Sequence, residues 1–171
     1  ENLSMRLAQE PADYIAGRDR SKPFFAMLSF YAVHGPIQTT EEKWRKYRQK
    51  AVEQGVADNG FGMERRLPIR LHQDNPVYAG LVEQVDDAIG LVLIQLKALG
   101  LDENTIVVFT SDDGGVASGD AFATSNAPLR GGRGYQWEGG LRVPLFVRYP
   151  RTVDAQQQSK IPVTGADLYP S

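Results

Sequence analysis

Five side chains in this sequence have the types and neighbours to do chemistry: His34, Asp112, Asp113, Arg130 and Arg133. Asp112 and Asp113 close the stretch TIVVFTSDDGG. Adjacent carboxylates repel, and a cation relieves that cost. Oxygen donors of this kind suit a hard cation. Gly114 and Gly115 let the backbone turn sharply and come close to whatever the carboxylates hold. Pro128 to Pro144, PLRGGRGYQWEGGLRVP, carries Arg130 and Arg133 among five glycines. Such a loop can bring guanidinium groups close to an anion. His34, in AVHGP, supplies an imidazole, while His72 lies among polar residues and reads as structural. A hard cation, a cationic side chain and an imidazole together make a site for an oxyanion ester. The bland alternatives are a solvated turn, a floppy connection and an exposed histidine.

These residues need a scaffold that gathers them. Thr105–Thr110 is short, β-branched and apolar, which predicts a buried strand with the carboxylates just past its C-terminal end. PFFAMLSF, Pro23 to Phe30, predicts a second strand leading toward His34, and Val143 to Pro150 a third. Ser4 to Gly17 predicts a helix that Pro11 kinks or restarts. Thr39-Thr40-Glu41-Glu42 offers a capping box for a charged surface helix. Asn75 and Pro76 give an N-cap and first-turn proline to a long amphipathic helix, its apolar positions recurring from Val77 to Leu96, with Gly100 closing it. Glu53 to Gln73 has no clear period and reads as an excursion. Strand, excursion, helix, strand is the order of an α/β protein with a mostly parallel sheet and flanking helices. On such a sheet His34, Asp112, Asp113 and Arg133 share one edge.

The chain has 171 residues, which favours a single domain, and a formal net charge of -2, which implies no nucleic-acid or membrane-surface partner. No apolar run is long enough to span a bilayer. The absence of cysteine excludes disulfides, thiolate metal sites and a Cys nucleophile in these residues. The few strands, and an end at Pro170-Ser171 where a helix would begin, predict an incomplete domain. Such a domain should expose strand edges that invite self-association.

PFFAMLSFYAVHGPIQ, then YAGLVEQVDDAIGLVLIQLKALGLDENTIVVFTSDDGG, NAPLRGGRGYQWEGGLRVPLFVRYP and DLYPS, are similar in order and spacing to the sulfatases of the alkaline-phosphatase superfamily. The resemblance covers nearly the whole chain. It implies an alkaline-phosphatase-like α/β fold, of which residues 1–171 would be the central part of a sulfatase catalytic domain. It implies hydrolysis of sulfate esters at a calcium ion, with a formylglycine made from the Cys of C-x-P-S-R as nucleophile. His34 matches the family histidine that contacts the sulfate ester, and Asp112 a calcium ligand. Asp113 stands where the family usually has Asn, and Arg133 where it usually has Lys. Asp86 matches a position read as structural. No C-x-P-S-R is present, and the paired Asp ligands of the first family strand are also missing, so the chain alone is expected to be inactive. The substrate would be a small-molecule or carbohydrate sulfate ester, and the parent periplasmic, secreted or lysosomal. Two alternatives stay open: a phosphatase or phosphodiesterase of the same superfamily, in which His typically follows the Asp, and a non-catalytic carbohydrate-binding descendant.

Overall fold

The computed structural model describes residues 2–57, 60–118 and 123–168. The helix start expected at the chain's end lies outside these residues.

Three helices build one half. Helix α1, Leu3–Gly17, starts where the Asn2 side chain accepts the Ser4 amide, and it carries Pro11 without breaking. Helix α2, Glu41–Glu53, is capped by Thr40 alone, whose hydroxyl accepts the Lys43 amide. No capping box forms, because the third helical position is Lys43, which cannot reach back as an acceptor. Helix α3, Pro76–Ala98, starts as its sequence predicts: Asn75 accepts from the Val77 and Tyr78 amides, with Pro76 at the first position. Gly100, at φ +68°, closes it in the left-handed region open to glycine. Both α1 and α2 pack on α3. Ala8, Ala12 and Ile15 of α1 are buried with Leu81, Ala88 and Leu96 of α3. The small side chains let the helix axes approach closely.

Strands β1, Phe61–Glu64, and β2, Leu67–Arg70, form an antiparallel hairpin inside the predicted excursion. Its turn holds Arg65 at φ +56°, a conformation usually reserved for Gly or Asn. Arg65-Arg66 therefore gives no turn signal in the sequence.

Strand β3, Val107–Thr110, pairs antiparallel with β4, Leu145–Arg148, Val107 lying opposite Arg148 and Thr110 opposite Leu145. The α/β class holds, but the mostly parallel sheet is not seen among the described residues: both sheets are two-stranded and antiparallel. The physical reason is local. The chain leaves β3, turns through the glycine-rich segment and returns beside it, and a return of this kind pairs antiparallel. Pro23–Phe30 carries no ladder, and its Phe25 and Met27 are exposed. A strand is defined by a neighbour, and among the described residues this segment has none. Val108, Phe109, Phe146 and Val147 leave β3 and β4 with much apolar surface in water. No helix among the described residues is long and apolar enough to cross a membrane.

Candidate functional site

The carboxylate pair follows β3 directly, as its sequence predicts. Ser111 donates its hydroxyl to the Asp113 carbonyl at 2.9 Å, tightening the turn that carries both acids. Asp112 is exposed, and its carboxylate has no hydrogen-bond or ion-pair partner among the described residues. The Asp113 carboxylate meets Arg133 Nε at 3.1 Å, both side chains little more than a third exposed. At that exposure the pair contributes little stability. It orients Arg133 instead, and through Nε alone.

The two arms that carry these residues are laced together by backbone. Arg133 donates its amide to the Gly115 carbonyl at 3.1 Å, and Gly114 donates to the Gly140 carbonyl at 3.0 Å. Asn126 works both sides: its Oδ1 accepts the Gly115 amide at 3.2 Å, while its Nδ2 donates to the Gly115 carbonyl at 2.7 Å and the Gly131 carbonyl at 3.1 Å. The glycines are required by proximity. A Cβ at Gly114 would lie 1.8 Å from the Gly139 carbonyl oxygen, and one at Gly140 would lie 2.2 Å from that of Tyr135. The short helix α4, Glu138–Leu141, is part of this knot.

The hairpin docks on both arms. Arg70 of β2 donates its amide to the Ala117 carbonyl at 2.9 Å, and Ile69 bridges Ser118. At the end of β1, Glu64 holds Arg130 Nε at 2.8 Å and the Gly131 amide at 3.2 Å. The Arg130 guanidinium also lies over the Trp137 ring, 3.9 Å from its centre. The loop that the sequence leaves as either floppy or shaped is shaped.

His34 is exposed. Its amide donates to the Tyr31 carbonyl at 2.9 Å, and its Nδ1 lies 2.8 Å from the Gly35 carbonyl oxygen. That contact requires a proton on Nδ1 and leaves Nε2 without a hydrogen bond among the described residues. The structure thus brings Asp112, Asp113 and Arg133 together, and gives no bond between His34 and any of them. No hydrogen bond or ion pair among the described residues joins His72 to them.

For a metal, the donor chemistry fits a hard cation in part. Asp112 offers a free carboxylate and Asp113 an oxygen not engaged by Arg133. No group of three or more His, Cys, Asp or Glu able to hold a metal occurs among the described residues. Calcium takes six to eight oxygens, so this pair is a partial shell. Asn126 and Glu64, which hold the site's frame, were not singled out by the sequence. Each acts across a long separation, 11 residues from Asn126 to Gly115 and 66 from Glu64 to Arg130. No local pattern announces such contacts.

Comparison with known proteins agrees along the whole chain. The family model described as Sulfatase matches residues 1–171. Mouse steryl-sulfatase is 34% identical over 174 residues, covering 99% of this chain and 24% of its own length. A protein named sulfatase from Formosa agariphila is 34% identical over 185 residues, covering 100% of this chain and 30% of its own. Among solved structures, Ps i-CgsB in complex with k-i-k-neocarrahexaose superposes with a TM-score of 0.76 at 30% identity, covering 98% of this chain and 32% of that one. The chain spans about a quarter to a third of the length of these relatives.

Proposed function

This chain belongs to the sulfatase family, and from that premise we propose that its parent protein hydrolyses sulfate esters, residues 1–171 being part of the catalytic domain. The observation that carries the reading is the Asp113–Arg133 pair beside the free carboxylate of Asp112, held past the end of β3 by the glycine knot.

In sulfate ester hydrolysis the S–O bond to the alcohol breaks while negative charge spreads over the sulfuryl oxygens and the leaving oxygen. Arg133, oriented through Nε, keeps its two terminal nitrogens free to donate to those oxygens. His34, with Nδ1 held by the Gly35 carbonyl, presents Nε2 as the proton donor to the leaving alcohol once the ring is protonated. Asp112 and Asp113 would hold calcium, which when bound would neutralise charge on the sulfate. The nucleophile would come from a formylglycine elsewhere in the parent, because this chain has no cysteine. The isolated chain would therefore be inactive. The substrate would be a small-molecule sulfate ester, in line with the name steryl-sulfatase, or a carbohydrate sulfate ester, in line with the Ps i-CgsB complex with k-i-k-neocarrahexaose. Its compartment would be periplasmic, lysosomal or extracellular.

The test is metal rescue of the parent. After chelation, calcium should restore turnover of an aryl or sugar sulfate, with magnesium an incomplete substitute. Restoration by zinc together with a preference for phosphate esters would move the protein to the phosphatase reading, since zinc favours nitrogen and sulfur ligands.

A further inference from the structure

The hairpin is the element for which the proposed chemistry has no use, yet it is stitched to both arms of the site. We propose that Glu64 is a positioning residue: from the end of β1 it fixes the loop that presents Arg133, and so governs the proposed sulfate ester hydrolysis without touching the substrate.

The contacts converge on two residues. Glu64 places one carboxylate oxygen on Arg130 Nε and the other on the Gly131 amide. The Glu64 side chain is about one-fifth exposed and Arg130 nearly half exposed, so the bond to the Gly131 amide is the part-buried one and the ion pair to Arg130 lies at the surface. Around them both carbonyls and the Arg130 guanidinium are also committed. The Arg130 carbonyl accepts the Gly139 amide at 2.8 Å, the Gly131 carbonyl accepts from Asn126, and the Arg130 guanidinium lies on Trp137. Gly131 sits at φ +72° with Trp137 and Tyr135 side-chain carbons 3.2 to 3.3 Å from where a Cβ would be. Glycine itself gives such a loop no stiffness. The rigidity must come from outside it, and Glu64 is the one acidic side chain among the described residues bonded to residues 130 and 131.

Two residues later Arg133 is placed by two contacts, its own amide on the Gly115 carbonyl and the ion pair of its Nε with Asp113. The backbone of residues 130 and 131, which Glu64 anchors, carries Arg133 to both. The hairpin is not itself loose, because Arg70 and Ile69 of β2 tie it to Ala117 and Ser118, just beyond the carboxylate arm. Carboxylate arm, hairpin and cationic arm thus form a closed circuit, in which Glu64 is the hairpin's link to residues 130 and 131.

The test uses the full-length parent protein and two readouts. Hydrogen exchange of the peptide spanning residues 131–141 should quicken about tenfold in Glu64→Ala, the scale of losing charge-assisted bonds to a part-buried group. Peptides from α3 should exchange as in the wild type. With an aryl sulfate as probe, kcat should fall by at least about tenfold with KM changed much less, because a misaimed Arg133 fails chiefly where charge develops. Glu64→Gln, which is nearly isosteric and keeps an acceptor for Gly131, should lie between the two. It also serves if Glu64→Ala does not fold. Wild-type exchange over residues 131–141 in the variant that folds would overturn the proposal. So would a loosened loop with unchanged kcat. A parent that hydrolyses no sulfate ester yet shows the localised loosening would uphold the anchoring while refuting the sulfatase reading on which the catalytic half rests.

Discussion

The helical half and the glycine-rich half solve the same problem in opposite ways. Around α3 the chain is held by apolar burial, with Ile15, Ala88 and Leu96 almost fully enclosed, and by side-chain ion pairs on the surface. In the site the buried residues are Ala117, Ala123, Thr124, Ser125 and the glycines 132, 139 and 140. There is little apolar area to bury, so amide-to-carbonyl bonds between loops carry the structure. The first arrangement tolerates exchange of side chains, since packing adapts. The second tolerates none at its crossing points, because its contacts are backbone to backbone.

Glycine is where the two halves should part most sharply. Gly114→Ala would drive a methyl into the Gly139 carbonyl oxygen. Neither backbone can yield without breaking the knot, and the expected loss is about 4 kcal/mol or more, at the upper end for single substitutions. Gly90→Ala, in the middle of α3, meets nothing within 4 Å and should stabilise by about 0.5 to 1 kcal/mol through helix propensity. Thermal melts of the two variants check this. Equal and small effects would show that the loops relax around a methyl, and that the knot is looser than its geometry implies.

A smaller effect separates the halves by pH. Glu83 of α3 is held down to about 2 by its hydrogen bond from Lys46, then by Lys43, against the opposing cost of partial burial. Lys43 is raised in turn by Asp87 and by Glu83. A carboxyl depressed from 4.5 contributes stability that is complete above that value and lost as pH falls toward about 2. Glu83→Gln should therefore cost on the order of 1 kcal/mol near neutral pH, the scale of a network whose outer partners, Lys46 and Asp87, are half-exposed. The difference from wild type should close between 4.5 and about 2. A gap that persists unchanged at the acid end would mean that Glu83 acts through packing and not charge.

The same contrast governs what could be read from the residues alone. The helices were legible because their signals are local. Asn75 and Pro76 mark the start of α3 and Gly100 its end, within a single apolar period. Thr105–Thr110 and Val143–Pro150 were legible as strands, but not as partners of each other. Pairing direction depends on where the intervening loop returns the chain, and no residue in the loop declares it. The hairpin escaped because its turn is Arg65-Arg66 and β2 contains Pro68, a residue that demotes a strand pattern. At the site, Asp112, Asp113 and Arg133 stood out by charge among glycines. The pairing of Asp113 with Arg133 did not, being a contact between positions 20 apart in the sequence.

The central claim is that Arg133, aimed by Asp113 and the knot, stabilises charge on a sulfate ester. Its most direct test is the turnover of an aryl or sugar sulfate by the full-length parent carrying Arg133→Ala. The expected result is a fall in kcat of about 10²-fold, the scale for removing one preorganised charge-stabilising group, with the fold and melting temperature preserved. Near-wild-type turnover in a folded Arg133→Ala protein would contradict it.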